Sequence, residues 1–585
     1  MSRERSAKLH QPSALRLCTS VALTVCLWAV VSISQAACPT AARPSGAGTS
    51  ADPYKIGTVE EFYWLSVRSS DADIGGNGIN SGQIRENNNF VHIEQTADID
   101  AADIDDCNPG WIPPNLGGRY DGGGHTIKNL TAYETVLSNG NPGNGLALFG
   151  TIFSYGDDNA GIENLTLENF KNGVVTRDMA GFAVQLDTSQ GGNQSYKFSQ
   201  LKLVSSSIGD VSGSENGRVA GIIARADGGA NDVEFDQIVV SETTLTNNSS
   251  NASMAGIVTT VTKGLDTFKI SNSRVEGDFV FNEANPQVKI GFLVGELVEA
   301  STSVATDPAQ LKISNTYASV KNGSNGYPVG PSGQNPTFIT LLGSQSGRES
   351  GGGQPPVDFV NLDAENLYVE VPDGQQGQDT NMAGTGLTVN MLSASQVKDQ
   401  SEFTGFDFTN TGPWRANSNV LGGTPFLAFE FSDPLVTLDT SKAPAEAGLT
   451  VSPGSSPVTV TLGMTQVFSI TVSEAYSIQI DEASSCPGTL TDGTFTTEAL
   501  IEDCTLVVGA TEKTSEVTVD TSSAPAEANL VVTDPSTLPV TVSYDASQDF
   551  LLSVDDGFLI QVDEGASTCS GELIGSTFTA TAVVE

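Results

Sequence analysis

The sequence predicts an all-β protein, a parallel β-helix (solenoid) followed by β-sandwich repeats of which the last is incomplete. Three observations lead there. Short apolar runs centred on glycine alternate with short β-rich runs through the middle of the chain. The last 150 or so residues contain the same pattern twice, beginning with Ala-Pro-Ala-Glu-Ala at 443–447 and again at 524–528. The composition is 61 Gly with 7% aromatics, and Thr, Ser, Asn and Val recur, which is strand and turn chemistry rather than helix chemistry. A chain of 585 residues is too long for one compact core, so a repeat array or several domains is expected.

The N-terminus reads as an export signal over residues 1–36. Arg3, Arg5, Lys8 and Arg16 make a basic region, residues 17–33 are mostly apolar, and Ser34-Gln35-Ala36 offers a small-x-small cleavage site. Cys38 after Gln35-Ala36-Ala37 also has the place of a lipid-modified cysteine, although Gln35 stands where a bacterial lipobox usually carries Leu. Retention of the segment as an anchor is a third reading. The formal charge is −42, from 27 basic and 69 acidic residues. Nucleic acid needs a basic face and is excluded as a partner, and anionic membrane surfaces are disfavoured. No stretch after the signal is long and apolar enough to span a membrane, so a secreted or cell-surface location is expected.

Residues 37–52 read as a linker and 53–430 as the solenoid. Thr58-Val59-Glu60-Glu61 has capping-box spacing before Phe62 and Leu65, which predicts a short helix covering the open edge of the first coil. The glycine-centred runs are Leu148-Phe149-Gly150, Ala180-Gly181-Phe182, Ala220-Gly221-Ile222, Ala255-Gly256-Ile257 and Ile290-Gly291-Phe292. Between them lie runs such as Ile162-Glu-Asn-Leu165-Thr-Leu167, Phe198-Ser-Gln-Leu201-Lys-Leu203 and Phe235-Asp-Gln-Ile238-Val-Val240. The two kinds of run are 14 to 22 residues apart, a spacing taken as one turn of the helix. The Ala-Gly pairs are expected to let the backbone turn tightly or approach the next coil closely. Insertions at 188–196 and 324–336 read as loops on one side.

Residues 431–513 and 514–585 are the two C-terminal repeats. Phe468, Ile470 and Val472 match Phe550, Leu552 and Val554, and Cys486-x-Gly-x-Leu matches Cys569-x-Gly-x-Leu. Alternation as in Phe468-Ser-Ile-Thr-Val472 indicates strands with one buried face. Cys486 and Cys504 are expected to form a local disulfide, and Cys38 and Cys107 could form another. The repeat places the partner of Cys569 at about position 587, so the sequence is expected to be a fragment of a longer chain. These modules resemble the immunoglobulin-like repeats of large bacterial surface proteins, which implies that they are spacers projecting the N-terminal part.

A second resemblance covers about residues 53–430. Tyr54-x-Ile56-x-Thr58, Asp98-Ile99-Asp100, Trp111-x-Pro113 and Gly118-x-Tyr120-Asp121-Gly-Gly-Gly-His125-Thr-Ile127-x-Asn129-Leu130 look like the start of a GLUG-type β-helix module. Its end is matched by Leu392-Ser-x-x-Gln396, Phe403-x-Gly-Phe406-Asp407-Phe408, Trp414 and Gly423-Thr-Pro425-Phe-Leu427. Such modules occur in bacterial adhesins, filamentous-haemagglutinin-like proteins and the exported region of some immunoglobulin A1 proteases. The resemblance implies a surface role, usually non-enzymatic, and carries over no catalytic residue.

Chemistry is sparse in the residues themselves. After the signal only His92 and His125 remain, and His125 reads as a turn residue. No His-Glu-x-x-His, Cys-x-x-Cys or phosphate loop occurs. Gly156-Asp157-Asp158 is the only element of a polygalacturonase pattern, and Arg225 and Lys263 are isolated candidates for the base of a calcium-dependent lyase. Asp98, Asp100, Asp103 and Asp105 could bind calcium through alternate carboxylates, or could simply form a solvated acidic edge. No other cofactor is expected. The leading expectation is an adhesin-like, non-enzymatic protein that binds a glycan, a surface or a partner protein through solenoid loops. A polysaccharide lyase or hydrolase and a purely structural stalk are the alternatives.

Overall fold

The computed structural model describes residues 38–67, 83–84, 91–108, 110–133, 145–154, 160–172, 178–187, 194–210, 217–226, 231–247, 253–262, 267–281, 289–298, 310–320, 340–346, 362–371, 389–409 and 411–583. The export signal, Gly156-Asp157-Asp158 and Lys263 lie outside them. The first part is a parallel β-solenoid. Its larger sheet runs from Tyr54–Ile56 through Val91–Gln95, Gly118–Asp121, Ala160–Glu168, Gln194–Val204, Asn231–Asn247, Thr267–Phe281, Gln310–Val320 and Leu362–Glu370 to Val389–Leu392. The successive strands pair in parallel. A second parallel sheet contains Phe149–Phe153, Ala183–Asp187, Ile223–Ala226, Val258–Thr262 and Lys289–Val298.

Register gives the true length of a turn. Ile162, Phe198, Phe235 and Ile270 are partners in successive coils, 36, 37 and 35 residues apart. A turn therefore contains one run of each kind, not one run alone. The two kinds lie on different sheets, so a spacing of 14 to 22 residues measures the step from one sheet to the other. The apolar members of each run meet inside, where Phe198 stacks on Phe235 at 4.8 Å between ring centroids and Phe235 meets Phe268 at 5.6 Å.

The Ala-Gly pairs sit where coils approach most closely. A Cβ on Gly221 would lie 2.1 Å from the Gly256 carbonyl oxygen, and one on Gly181 would lie 2.4 Å from that of Gly221. Beside this column Ala147, Ala180, Val184, Ala220 and Ala224 form a separate small buried cluster. A further column was not foreseen. Asn164, Gln200, Gln237, Asn272, Asn315 and Asn366 occupy one position in successive coils and all adopt positive φ, between 45° and 57°. Left-handed backbone is costly for most side chains and mildest for Asn. Amide stacking supports it, with Asn366 Nδ2 donating to Asn315 Oδ1 at 2.9 Å and Asn315 Nδ2 to Asn272 Oδ1 at 3.3 Å.

The N-terminal helix forms over Val59–Val67. Thr58 Oγ1 accepts from the Glu61 N–H at 3.3 Å, and the Glu61 carboxylate reaches back to the Gly57 N–H at 2.8 Å. Phe62 stacks on Trp111 at 4.3 Å, which fastens the helix to the third segment of the motif. Residues 38–52 are not a loose linker. Cys38 is disulfide-bonded to Cys107, Ser45 bridges Lys55, and Arg43 donates to the Tyr54 hydroxyl. A cysteine held in that bond has no thiol to carry a lipid. The insertion at 324–336, and that at 188–196 up to residue 193, lie outside the described residues.

Beyond the coils, residues 393–431 fold back as a strap, and two β-sandwich-like repeats follow. In the first repeat one sheet has the order Val458–Thr459, Leu435–Asp439, Cys504–Glu512, Tyr476–Ile480, and the other Thr450–Ser452, Val467–Thr471, Thr494–Thr497, Gly488–Thr491. Val436, Phe468, Ile470, Phe495, Leu506 and Val508 fill the space between them, closed by the Cys486–Cys504 disulfide. The second repeat has one four-stranded sheet, Val531–Asp534, Ala546–Ser553, Thr577–Val583, Gly571–Ile574, and among the described residues a two-stranded one, Thr514–Val517 with Val540–Ser543. Ala445–Ala447 and Ala526–Ala528 are both 3-10 turns ended by a left-handed residue, Gly448 or Asn529. Among the described residues no helix is long and apolar enough to cross a membrane.

The close approach at the glycine column yields a prediction. Gly221→Val forces a side chain against the backbone of the next coil and is expected to cost about 1–3 kcal/mol as overpacking. Chemical denaturation followed through the solenoid's tryptophans checks it, and an unchanged midpoint would mean that the coils are not in this register.

Candidate binding face of the solenoid

The acidic motif comes first, because it carried the sequence-level metal candidates. Asp98 Oδ1 accepts from the Thr126 N–H at 2.9 Å and lies 3.2 Å from His125 Nδ1. Asp100 Oδ1 accepts from Asn129 Nδ2 at 2.9 Å and from the Ala102 N–H at 3.2 Å, with Lys128 Nζ 3.4 Å from Oδ2. Asp105 Oδ2 accepts from the Thr131 hydroxyl at 2.8 Å. These three carboxylates are thus staples that tie Ile99–Asp100 and the following 3-10 turn to the next coil, and each meets different residues of it. Asp103, on that 3-10 turn, does not join them in a common site, since among the described residues no group of three or more His, Cys, Asp or Glu is placed to hold a metal ion. The turn glycines serve the same stacking. Gly123 and Gly124 have φ of 60° and 81°, and the Gly123 N–H is taken by Asp121 Oδ1 at 2.9 Å.

Outward-facing residues of the larger sheet line up in three parallel files, because strand side chains alternate and the coils are in register. The first file is His92, Arg119, Gly161, Lys197, Glu234, Lys269, Lys312 and Asp363. The second is Lys55, Glu94, Asp121, Glu163, Ser199, Asp236, Ser271, Ser314 and Glu365. Charges of opposite sign face each other within and between these files. Arg119 pairs with Glu163, and Lys269 with Glu234 at 2.7 Å. Asp236 Oδ1 accepts from the Ser271 hydroxyl at 2.7 Å and from Asn272 Nδ2 at 2.8 Å. Lys197 and Lys312 are exposed.

The third file is Thr126, Thr166, Lys202, Val239, Arg274, Tyr317, Tyr368 and Asn390, and Val239, Arg274, Tyr317 and Tyr368 are covered by the strap. Tyr368 packs against Phe403 and Phe406, and Phe406 stacks on Trp414 at 4.2 Å. Ser393 and Gln396 start the strap with a reciprocal pair of hydrogen bonds to each other's backbone N–H, at 3.0 and 3.2 Å. At its far end the Glu430 carboxylate grips the Arg274 guanidinium in a bidentate pair, and both side chains are 1% exposed. Glu276 holds the remaining side of Arg274. Glu430 also accepts from the Leu427 N–H at 2.7 Å, and its carbonyl accepts from Lys202 Nζ at 3.1 Å.

Burial alone would lower the Arg274 pKa, but Glu430 and Glu276 outweigh it and hold the guanidinium more firmly protonated than usual. Burial lowers the Lys202 pKa and Glu430 opposes the shift only in part. Burial, reinforced by Glu370, raises the Tyr317 hydroxyl well above its ordinary value, so it stays a neutral donor to Glu370 Oε2 at 3.0 Å. Nothing local in the sequence announces this cluster. Arg274 and Glu430 are 156 residues apart.

On the second sheet Gln185, Arg225, Thr260 and Glu296 share one register position. Arg225, isolated in the sequence, donates to Gln185 Oε1. Arg218 donates from Nη1 to both carboxylate oxygens of Asp178, at 3.1 and 3.2 Å, and from Nε to Thr260 Oγ1 at 3.0 Å. These contacts tie neighbouring coils together, as Asp98 and Asp100 do on the other sheet.

No family model matches the sequence, and no curated protein matches it. A solved structure provisionally named an immunoglobulin A1 protease, from Bacteroides ovatus, is similar over 66% of this chain and 95% of its own, at 14% identity and a TM-score of 0.38.

Two predictions follow from the geometry. Glu430→Ala leaves Arg274 charged and buried, which is expected to cost about 3–5 kcal/mol, whereas Arg274→Met combined with Glu430→Leu should recover much of the loss. Limited proteolysis of the strap together with denaturation distinguishes the two. For Asp100, burial raises the carboxyl but hydrogen bonds from Asn129 and Ala102, with Lys128, outweigh it and hold the pKa below its usual value. Its contribution to stability is therefore present above the unfolded-state pKa, about 3.9, and is lost as pH falls through the folded value. A carboxyl carbon NMR titration should place Asp100 below an exposed aspartate, and a midpoint at or above the ordinary value would contradict the staple.

Proposed function

We propose that this protein is a secreted or cell-surface, adhesin-like β-helix protein that holds a repeating glycan surface against the outer face of its larger sheet, without catalysing a reaction. The observation that carries the reading is the pair of files left open beside the strap. They present ammonium, guanidinium, carboxylate and hydroxyl groups at the strand spacing of about 4.8 Å, a flat and regular display suited to many weak polar contacts at once. The strap covers Val239, Tyr317 and Tyr368, the apolar part of the third file. Two disulfides in one chain fit an oxidising compartment, in line with the basic and apolar N-terminal segment. The C-terminal repeats fit spacers, and the resemblance to GLUG-type modules points the same way.

The test uses residues 37–585 with a panel of acidic and neutral polysaccharides in the presence of calcium. Retention on at least one polysaccharide is expected, with no new reducing ends. Lys197→Glu combined with Lys312→Glu should weaken that retention by about tenfold, the sum of two modest exposed-charge contacts. Release of reducing ends from any polysaccharide would overturn the non-enzymatic reading, and absence of retention across the panel would favour a structural stalk.

A further inference from the structure

One sheet of each C-terminal repeat is built alike and surfaced differently. In the first repeat Thr450–Ser452, Val467–Thr471, Thr494–Thr497 and Gly488–Thr491 pair in that order. In the second Val531–Asp534, Ala546–Ser553, Thr577–Val583 and Gly571–Ile574 do the same, so this sheet has all four strands in both repeats. The inward side chains correspond, with Phe468, Ile470 and Phe495 in one and Phe550, Leu552 and Phe578 in the other. The outward ones do not. Ser469, Thr494 and Thr491 stand in one row of the first repeat, and Leu551, Thr577 and Ile574 stand in the same row of the second. One pleat along, Thr450 faces Thr471 in the first repeat and Val531 faces Ser553 in the second. Val531, Leu551 and Ile574 are 50%, 42% and 71% exposed. Single exposed apolar residues need no explanation, but three on the outer face of one sheet form a patch.

The rim of this patch is acidic. Asp534 is in register with Leu551, and Asp549 and Glu572 flank Thr579 in the next row. All three carboxylates are exposed, and Asp549 Oδ1 accepts from the Thr579 hydroxyl at 2.6 Å. Residues 514–585 contain 12 Asp or Glu and no Lys, Arg or His, so the repeat has no cation of its own to set against them.

We propose that this face docks a cationic polypeptide segment that carries aliphatic side chains. Those side chains cover Val531, Leu551 and Ile574. The stems of its Lys and Arg residues lie along the same strip while their heads reach Asp534, Asp549 and Glu572. The apolar centre supplies most of the affinity, and the charged rim supplies steering and specificity. Charge decides between occupants. A second copy of this chain would bring the same carboxylates against themselves, and nucleic acid or an anionic membrane would be repelled in the same way. The outward positions of these strands hold no aromatic ring on which a sugar would stack. The site is therefore distinct in place and in chemistry from the polar files of the solenoid.

The test uses the full chain and two synthetic peptides of equal length and charge, one alternating leucine with lysine and one alternating serine with lysine. The leucine peptide is expected to bind more tightly by fluorescence anisotropy. Val531→Thr combined with Leu551→Ser and Ile574→Thr gives this face the residues that the first repeat already carries, so the fold tolerates them. That variant should bind the leucine peptide about tenfold or more weakly, the loss expected for apolar anchors at an interface centre, and the serine peptide unchanged. Equal affinity of the leucine peptide for the two proteins, or a loss shared equally by both peptides, would overturn the proposal, because charge alone gives the first and an altered fold the second. Sedimentation of the full chain as a dimer that the triple variant abolishes would also overturn it, since the occupant would then be a second copy.

Discussion

Parallel strands repeat at about 4.8 Å, and in this solenoid everything else is arranged so that the coils can keep that distance. The glycine column through Gly181, Gly221 and Gly256 removes the Cβ atoms that would meet the carbonyls of the next coil. The Asn and Gln column carries the left-handed residue that bends every coil at the same place. Neither column stabilises much residue by residue. Together they fix the register, and register decides which side chains stack inside and which stand in files outside. One residue of slip would exchange the two sets.

The outer files show what register makes possible. Side chains far apart in sequence become neighbours at coil spacing, so Arg119 meets Glu163 and Lys269 meets Glu234 without any local motif. The strap exploits the same geometry from outside. Its aromatic residues need a flat apolar strip, which Val239, Tyr317 and Tyr368 provide. Arg274 in that strip is met by Glu430 from the strap and by Glu276 from its own strand. A buried pair of this kind adds little net stability, but an alternative docking of the strap would part Glu430 from Arg274 and leave Arg274 with Glu276 alone. The pair therefore specifies where the strap lies more than how tightly it holds.

The residues that showed the fold were those whose constraint is local. Alternating runs such as Phe198-Ser-Gln-Leu201-Lys-Leu203 announce a half-buried strand, and Thr58 with Glu61 announces a helix start. The repeats announced themselves by identity, and both expected disulfides are formed. The length of a turn was misjudged because spacing alone does not say whether consecutive runs share a sheet. Residues 38–52 looked like a linker because a disulfide to Cys107 and a hydrogen bond from Arg43 to Tyr54 leave no periodic trace. The acidic motif was visible, but its purpose was not, since Asp98, Asp100 and Asp105 find their donors in another coil. The open files and the Arg274–Glu430 pair were invisible for the same reason. Each is a property of stacked coils and of no single segment.

Register is the claim to test first, and paired cysteines test it directly. Lys197 and Glu234 are partners in adjacent coils, so a Lys197→Cys/Glu234→Cys variant should oxidise readily, because adjacent parallel strands bring the two Cα atoms within disulfide range. Lys197→Cys/Lys269→Cys places the thiols two coils apart, about 9.6 Å between Cα atoms, beyond that range. The account predicts rapid closure of the first pair and none of the second. Closure of the second pair, or failure of the first in the folded protein, would contradict the stacking on which the open face and the strap both depend.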